Sequence, residues 1–443
     1  MQIVRAGDNA LLVELGEVTA GELHTAAASV RRVERVLACL PGHSSLYVVC
    51  DGEPDEEQIG RAALERKPGN SINGRIHRLR VSFASGYAPD LDEFLSQVSF
   101  SKDAFLQRVA TLRLTARYLG FRGGFAYLDG WPDEWSMPRR ATSRPRVARG
   151  TFGVAGSTAG FYPIESPGGW NLLGRTDVDL EHAIEAGDVI ELIPTLETLP
   201  PSPEVKRQEL SLPWADVLAA PLARVVSAAD WSLTLRGSAP GGPFDPLAAA
   251  LANHAVGRGE QETLLECAVA GPRLRFRESG FVAWCEPDLQ LEVRTVREGE
   301  TIAWGPLRNG LRGYLAFGTE TGSRMPAITR EDRLTIRTLS GPHDSGLSTV
   351  ACVVTPQLDR VGIRLTPLEP LGLNPTAALA SCGMQCGTIQ LHPDGSLVAM
   401  GPDHPVTGGY LQPMTVITSE RWKLGQLVPG DRVTFLVESQ LPN

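Results

Sequence analysis

Forty-six glycines and 33 prolines interrupt a chain of 443 residues, about 18 % of all positions, against roughly 12 % in an average protein. Both residues end helices and strands, so the chain is expected to be a succession of short strands joined by turns. The excess is too small for a collagen or low-complexity chain. With 42 % hydrophobic and 21 % charged residues the protein can bury real cores, which argues against disorder, coiled coil and fibre. At about 150 residues per domain, the length corresponds to roughly three domains.

Charge narrows the partners. Acidic residues outnumber basic ones 51 to 42, a net charge of −9. The longest basic stretch, PRRATSRPRVAR, is local, so nucleic acid is not an expected partner. Only Lys67, Lys102, Lys206 and Lys423 are lysines, which leaves little room for lysine-borne cofactor chemistry, and no covalently bound cofactor is expected. The seven cysteines are scattered and do not form a disulfide pattern. Cys382 and Cys386 stand four apart with no His or second Cys pair at zinc spacing, so no metal site is expected. The segment MQIVRAGDNALLVELG is charged early and has no signal-peptide core. No apolar run approaches ~20 residues. The expectation is a cytoplasmic protein with no membrane contact.

Residues 1–74 read as a small α/β unit. IVRAGDNALLVEL forms two strands around Gly7-Asp8-Asn9. Thr19-x-x-Glu22 is a capping box that opens a helix. SSLYVVCD is a strand, and DEEQIGRAALERK a second helix. Residues 75–195 open on the strand HRLRVSF, continue through two short helices around DLDEFLSQV and SKDAFLQRVATL, and then alternate strands with Gly and Pro. Residues 196–213, rich in Pro and charge, read as a linker. A β domain over 214–345 contains one clear helix, DPLAAALANHAVG, with Asp245 as N-cap and Pro246 in the first turn. A second β domain covers 346–443, ending in a helix near SERWKLGQL and the strand DRVTFLVE.

A weak repeat links the two halves. Gly150-Thr151, Gly168-Gly169-Trp170 and Gly187-Asp188 recur in order as Gly387-Thr388, Gly408-Gly409-Tyr410 and Gly430-Asp431, with each interval three residues longer in the second copy. A duplication predicts two related barrel-like β domains.

The phosphate loop, the Gly-x-Ser-x-Gly elbow and His-Glu-x-x-His are absent from the sequence. Candidate chemistry lies in Gly-rich loops, whose backbone N–H groups can bind a carboxylate or a carbonyl oxygen. GFRGGFAYLDG presents Gly124, Phe125 and Tyr127. AGSTAGFYPIESPGGW presents Tyr162 and Ser166. DHPVTGGY presents Asp403, His404, Thr407, Gly408, Gly409 and Tyr410. His404 beside Asp403 is a candidate proton-transfer group near neutral pH. Arg360 and Arg364, in QLDRVGIRL, fall on one side if this is a strand, and could hold a carboxylate. The bland reading of each is a turn, a tucked aromatic or a solvated strand face.

These motifs carry a resemblance. GFRGGFAYLDG, PRRATSRPRVARGTFGVAG and YPIESPGGWNLLGRT, with AGDNALLVELG and PGHSSLYVVCD before them, resemble the B-type component of bacterial 5-oxoprolinase, also called KipI or allophanate hydrolase subunit 1. GSAPGGPFDPLAAALANHAVG, LECAVAGPRLRF, GLRGYLAFG, TPQLDRVGIRL, GTIQLHPDG, GPDHPVTGGY and LGQLVPGDRVTF resemble the C-type component, also called KipA or allophanate hydrolase subunit 2. The chain looks like a fusion of the two, similar to the carboxyltransferase region of urea carboxylase. The resemblance implies a mainly β protein with α+β parts: tandem cyclophilin-like β barrels preceded by a small α/β N-terminal domain.

It further implies action on a small amide such as 5-oxoproline or a urea derivative. The partner would be an A-type 5-oxoprolinase subunit or a biotin carboxylase with its carrier protein, supplying ATP or carboxybiotin chemistry. In that reading His404 or Asp403 transfers a proton and Arg360 holds a substrate carboxylate. Tyr162, Tyr410, Thr407, Gly408, Gly409, Gln390, Gly124, Phe125 and Ser166 position the ligand. The alternative is a non-catalytic regulator like the KipI/KipA histidine kinase inhibitors. Departures from the family pattern fall at Gly123-Gly124-Phe125 in place of Pro-Gly-Phe, at Val109 near a usual His, and at a shortened Gly322-Ser323-Arg324 segment.

Overall fold

A computed structural model describes residues 1–443 except 66–73, 121–122, 141, 143, 182, 201–209, 221, 323–329, 331, 344, 375–378 and 439–443. Half of the expected linker (201–209), Lys67, Lys206 and the Ser323-Arg324 segment lie outside the described residues.

The N-terminal unit is an antiparallel sheet in the order Gln2–Arg5, Ala10–Glu14, Ser45–Cys50, Val36–Pro41. The helices Ala20–Val30 and Glu56–Ala63 cover one face. The expected capping box is formed: Thr19 N–H donates to Glu22 Oε2 at 2.8 Å, and Glu22 N–H donates to Thr19 Oγ1 at 3.3 Å. Alternation along Ala10–Glu14 separates two contacts, because successive side chains point to opposite faces. Leu11 and Val13 pack under the helices, while Ala10 and Leu12 pack with Tyr47, Cys382 and Val406. This small sheet is therefore buried on both faces, the second against the far end of the chain.

Two closed seven-stranded barrels follow. In the first, the ring runs Ile76–Ser82, Asn171–Arg175, Thr151–Ala155, Thr158–Phe161, Ala126–Asp129, Arg113–Leu119, Val189–Thr195. In the second it runs Thr335–Ser340, Leu411–Val416, Thr388–Leu391, Leu397–Met400, Gly362–Pro367, Thr349–Leu358, Arg432–Glu438. With the strands of each barrel numbered in chain order, both rings read 1-6-4-5-3-2-7. In both, the first and last strands pair in parallel and the other ladders are antiparallel.

The duplicated motifs fall at equivalent places. Thr151 and Thr388 open the fourth strand, Gly169-Trp170 and Gly409-Tyr410 precede the sixth, and Asp188 and Asp431 precede the last. The two aspartates do the same work. Asp188 accepts from Glu185 N–H at 3.0 Å, Arg75 N–H at 2.8 Å and the His77 ring at 2.7 Å. Asp431 accepts from Val428 N–H at 2.9 Å and from the Arg333 guanidinium at 2.7 Å. Each ties the approach to the first strand to the start of the seventh.

Helices Leu91–Val98 and Lys102–Val109 lie between the first two strands of the first barrel, where Phe94 and Phe105 pack with Trp131 and Trp135. Between the barrels sits a three-stranded sheet, Ala215–Ala219, Arg273–Phe276, Thr301–Ala303, and a five-stranded sheet in the order Ala223–Val226, Leu264–Ala268, Arg312–Gly318, Gly280–Cys285, Leu291–Val296. The helix Pro246–Ala255 packs on the five-stranded sheet, and its Asp245 cap accepts from Ala248 N–H at 3.1 Å. The second barrel begins at Thr335, ahead of the boundary expected at 346. No described helix is long and apolar enough to cross a membrane.

Candidate functional site at the barrel junction

Three units meet beside the second and third strands of the first barrel. His43 N–H donates to Ser381 O at 2.8 Å, which fastens the N-terminal loop to the segment before Cys382–Gly383. That two-residue strand pairs with Thr407–Gly408. The first barrel closes on it at Gly120, where a Cβ would stand 1.7 Å from Thr407 Oγ1. Only glycine permits this approach. The Gly-rich loops at 120–130 and 403–410, far apart in sequence, thus abut.

Beside this contact lies a cleft of about 350 Å³ lined by His43, Tyr118, Tyr127, Arg139, Trp170 and Ser381, to which these two loops contribute Tyr127. Its floor is aromatic. Tyr118 and Tyr127 stack at 4.3 Å and 16°, and Phe125 contacts Tyr127, Tyr162 and Trp170 edge-on at 5.0 to 5.4 Å. All five rings are buried. Burial raises the Tyr118 and Tyr127 hydroxyls above their ordinary value, although Arg139 and the hydroxyls of Ser381 and, for Tyr127, Thr407 pull in the other direction. Burial likewise pushes Tyr162 up to about 12. These phenols stay protonated at neutral pH and can donate. Burial, with Arg117 nearby, lowers His43 and keeps its ring neutral.

Outside that lining, the second barrel holds buried polar atoms: Gln390 Nε2 makes no hydrogen bond among the described residues, and Thr407 Oγ1 makes none of good geometry but lies beside the Tyr127 hydroxyl. A Cβ at Gly408 would lie 2.9 Å from that Gln390 nitrogen, so the amide sits directly against the glycine. Buried donors normally find partners, and exceptions mark places where something else binds. Arg139 is exposed at the rim and makes no ion pair among the described residues. Tyr410 contacts His392 in a tilted arrangement, with ring centroids at 4.5 Å, and burial, helped by Arg364, lowers His392 to about 4.

Of the residues expected from sequence, the junction gathers Gly124, Phe125 and Tyr162 from the first barrel and Gln390, Thr407, Gly408, Gly409 and Tyr410 from the second. The others lie elsewhere. Ser166 is buried on a short strand paired with Arg144–Val147. Arg360 is in a hairpin turn rather than a strand, because Asp359 Oδ1 accepts from Val361 and Gly362 N–H. It therefore shares no strand face with Arg364, which bonds Asp394 instead. Arg360 donates to both oxygens of Asp403 at 2.9 and 3.0 Å, to Glu266 at 2.7 Å and to Gly242 O at 2.7 Å. Holding a substrate carboxylate would require giving up this tie to the middle domain.

Asp403 also bonds Arg224, and these arginines outweigh burial to hold its carboxyl low. His404 is 4 % exposed. Burial lowers it to about 4, and its Nδ1 sits 2.9 Å from Pro405 O. In this fold a proton-transfer role for His404 would need both a path to solvent and a basic ring.

His43, Arg139 and Ser381 were not singled out from sequence. The repeat offered one signal, since Trp170 occupies the position of Tyr410. Arg139 sits in the basic stretch PRRATSRPRVAR. A larger cavity of about 570 Å³, between the Gly241-Gly242 loop and Trp422, is mainly apolar. Two of its polar groups are already engaged: Thr418 bonds Asp8 and Arg421 bonds Asn9.

Comparison with known proteins agrees with this architecture. Residues 1–184 match the carboxyltransferase domain, subdomain C and D, and residues 236–328 and 321–437 match the carboxyltransferase domain, subdomain A and B. The chain is 27 % identical over 220 residues to the B-type component of 5-oxoprolinase from Bacillus subtilis, covering 43 % of the chain and 92 % of that protein. It is 32 % identical over 150 residues to the B-type component of 5-oxoprolinase from Haemophilus influenzae, covering 32 % of the chain and 70 % of that protein. The crystal structure of TTHA0988 in space group P6522 has the same fold, with a TM-score of 0.79 and 24 % identity over 97 % of this chain and all of that one. The chain belongs to the carboxyltransferase-domain family, with a unit like the B-type component of 5-oxoprolinase followed by a C-type unit in a single polypeptide.

Proposed function

We propose that the junction cleft binds a small amide such as 5-oxoproline or a urea derivative, as part of a 5-oxoprolinase-type or carboxyltransferase-type enzyme. The observation that carries this is a cleft whose aromatic lining bears polar groups, the Tyr118 and Tyr127 hydroxyls and Arg139, which makes no ion pair among the described residues, with the buried Thr407 hydroxyl behind Tyr127. In this reading the protonated Tyr118 and Tyr127 hydroxyls donate to the amide oxygen, where negative charge develops as the carbonyl or the adjacent nitrogen reacts. Thr407, beside Tyr127, orients that hydroxyl. Arg139 takes a substrate carboxylate, the role that sequence suggested for Arg360. A flat amide lies against Tyr127 and Trp170. ATP or carboxybiotin chemistry comes from a partner, either an A-type 5-oxoprolinase component or a biotin carboxylase with its carrier.

Differential thermal unfolding with 5-oxoproline and with urea tests binding. A ligand at 100 times its Kd stabilises by ~2.7 kcal/mol, a shift of several degrees. Reconstitution with the A-type component and ATP tests turnover. The reading fails if neither amide raises the melting temperature and neither partner supports amide-dependent ATP consumption.

A further inference from the structure

The five-stranded sheet of the middle domain ends in the strand Leu291–Val296, which pairs on one side with Gly280–Cys285 and has no strand on the other among the described residues. Five consecutive residues, Leu291 to Thr295, are exposed, with Leu291 at 38 % and Val293 at 42 %. The ladder's phase is fixed at the hairpin, where Glu286 N–H donates to Gln290 O at 2.9 Å. Counting from there, Trp284–Glu292 and Val282–Arg294 are the hydrogen-bonded pairs of the antiparallel ladder. Leu291, Val293 and Thr295 therefore turn their N–H and C=O groups outward, where no described strand meets them.

Such an edge is a template for another strand, and natural edges usually carry charges that repel a copy of themselves. Here the charges are arranged the opposite way. Glu292 and Arg294 flank Val293 symmetrically. An antiparallel pairing of this strand with itself about Val293 matches Leu291 with Thr295, Val293 with Val293, and Glu292 with Arg294. The outward backbone groups then form the hydrogen-bonded pairs. Each glutamate faces the other copy's arginine in a non-hydrogen-bonded pair, where side chains approach most closely. In one chain Glu292 and Arg294 only contact each other at 2.5 Å, both about half exposed, a pair of little value alone. The apolar side agrees. Leu291 and Val293 lie on the face of Cys285 and Ala283, which pack under Pro246–Ala255, so the pairing continues a buried face into the second copy.

We propose that this strand is the seam of a two-fold homodimer in which two five-stranded sheets join edge to edge. The test is sedimentation equilibrium of the full chain across micromolar concentrations, with charge reversals at the seam. The wild type should move from monomer to dimer mass. Glu292→Arg places like charges opposite one another twice per dimer and should weaken association at least ~10-fold. Glu292→Arg combined with Arg294→Glu restores opposite charges and should bring the dissociation constant back to near the wild-type value. All the changes are at exposed positions, and unchanged circular dichroism shows that the variants fold. Val293→Cys should cross-link the dimer under mild oxidation, since its Cα would face its own copy at about 5.5 Å. A wild type that stays monomeric at 100 μM, a dimer indifferent to both reversals, or a double variant no better than the single one overturns the proposal.

Discussion

The two barrels share one ring order and one parallel closure, yet they present opposite chemistry at their junction. The first barrel brings rings: Tyr118, Phe125, Tyr127, Tyr162 and Trp170 form one buried aromatic group. The second brings buried polar atoms, Thr407 Oγ1 beside Tyr127 and Gln390 Nε2, which makes no hydrogen bond among the described residues. Equivalent hairpins also diverge. Between its second and third strands the first barrel sends Phe125 and Tyr127 into the cleft. The second sends Arg360 into the middle domain, against Glu266 and Asp403. A duplicated fold thus does not duplicate its site. The junction is composite: the first barrel's rings line the cleft together with Ser381 from the second half, and Thr407 and Gln390 lie buried outside its lining.

The largest expected effect of breaking this comparison is at Arg360. Replacing it by Ala leaves the charge of Glu266, 3 % exposed, with Arg312 at 3.6 Å as its remaining cation and hydrogen bonds from Phe244 N–H and the Tyr314 hydroxyl. It should cost about 3 to 5 kcal/mol, read as a lower urea midpoint, whereas the affinity of the remaining folded protein for a carboxylate-bearing amide should change little. A severalfold loss of affinity with stability intact would return Arg360 to the site.

Next come the paired aspartates. Asp188→Ala strands two backbone N–H groups and should cost about 3 kcal/mol, and Asp431→Ala about 2 kcal/mol because its site is more open. Equal and negligible effects would mean that the shared closure is not held by these residues. Hydrogen bonds from Glu185 N–H, His77 and Arg75 N–H outweigh burial and hold the Asp188 carboxyl below its ordinary value. A carboxyl lowered in the native state binds fewer protons there than in the unfolded chain. Its contribution is therefore complete above about pH 4 and is lost as pH falls through the native value. Acid unfolding of Asp188→Asn should show a correspondingly flatter pH dependence.

A smaller pair sharpens the aromatic asymmetry. Trp170→Ala, which opens a hole beside Phe125 and Tyr127, should cost about 3 kcal/mol. Tyr410→Ala, at the equivalent position but half-buried against His392, should cost about 1 kcal/mol.

The smallest effect has the opposite sign. Thr407→Val removes a buried hydroxyl that makes no hydrogen bond of good geometry among the described residues and lies beside Tyr127, so stability should stay level or rise by up to about 1 kcal/mol while amide affinity falls. A clear loss of stability would show that the hydroxyl is satisfied within the protein.

How far the sequence could be read follows from these residues. The β-rich fold, the barrels, the capping box and the duplicated Gly-Thr, Gly-Gly-aromatic and Gly-Asp blocks are local signals, set by turn chemistry and alternation, and they were legible. The cleft's two loops were also legible as candidates, because Gly-rich segments with polar residues stand out. What could not be read was which side chains face one another. Arg360 and His404 are the residue types that chemistry favours, but long-range packing gives Arg360 three partners and seals His404. Arg139, Ser381 and His43 carry no local pattern, and only the closure of Gly120 on Thr407 gathers them. The position of the second barrel's first strand was missed because nothing in the local pattern marks it off from the middle domain.

The central claim is that one ligand is held jointly by the two barrels, and calorimetric titration of 5-oxoproline tests it most directly. The wild-type chain, Arg139→Gln and Thr407→Val should be compared, with folding of each variant confirmed by thermal unfolding. The account predicts one site per chain, weakened at least ~10-fold by either change. An affinity unchanged by both substitutions would contradict it.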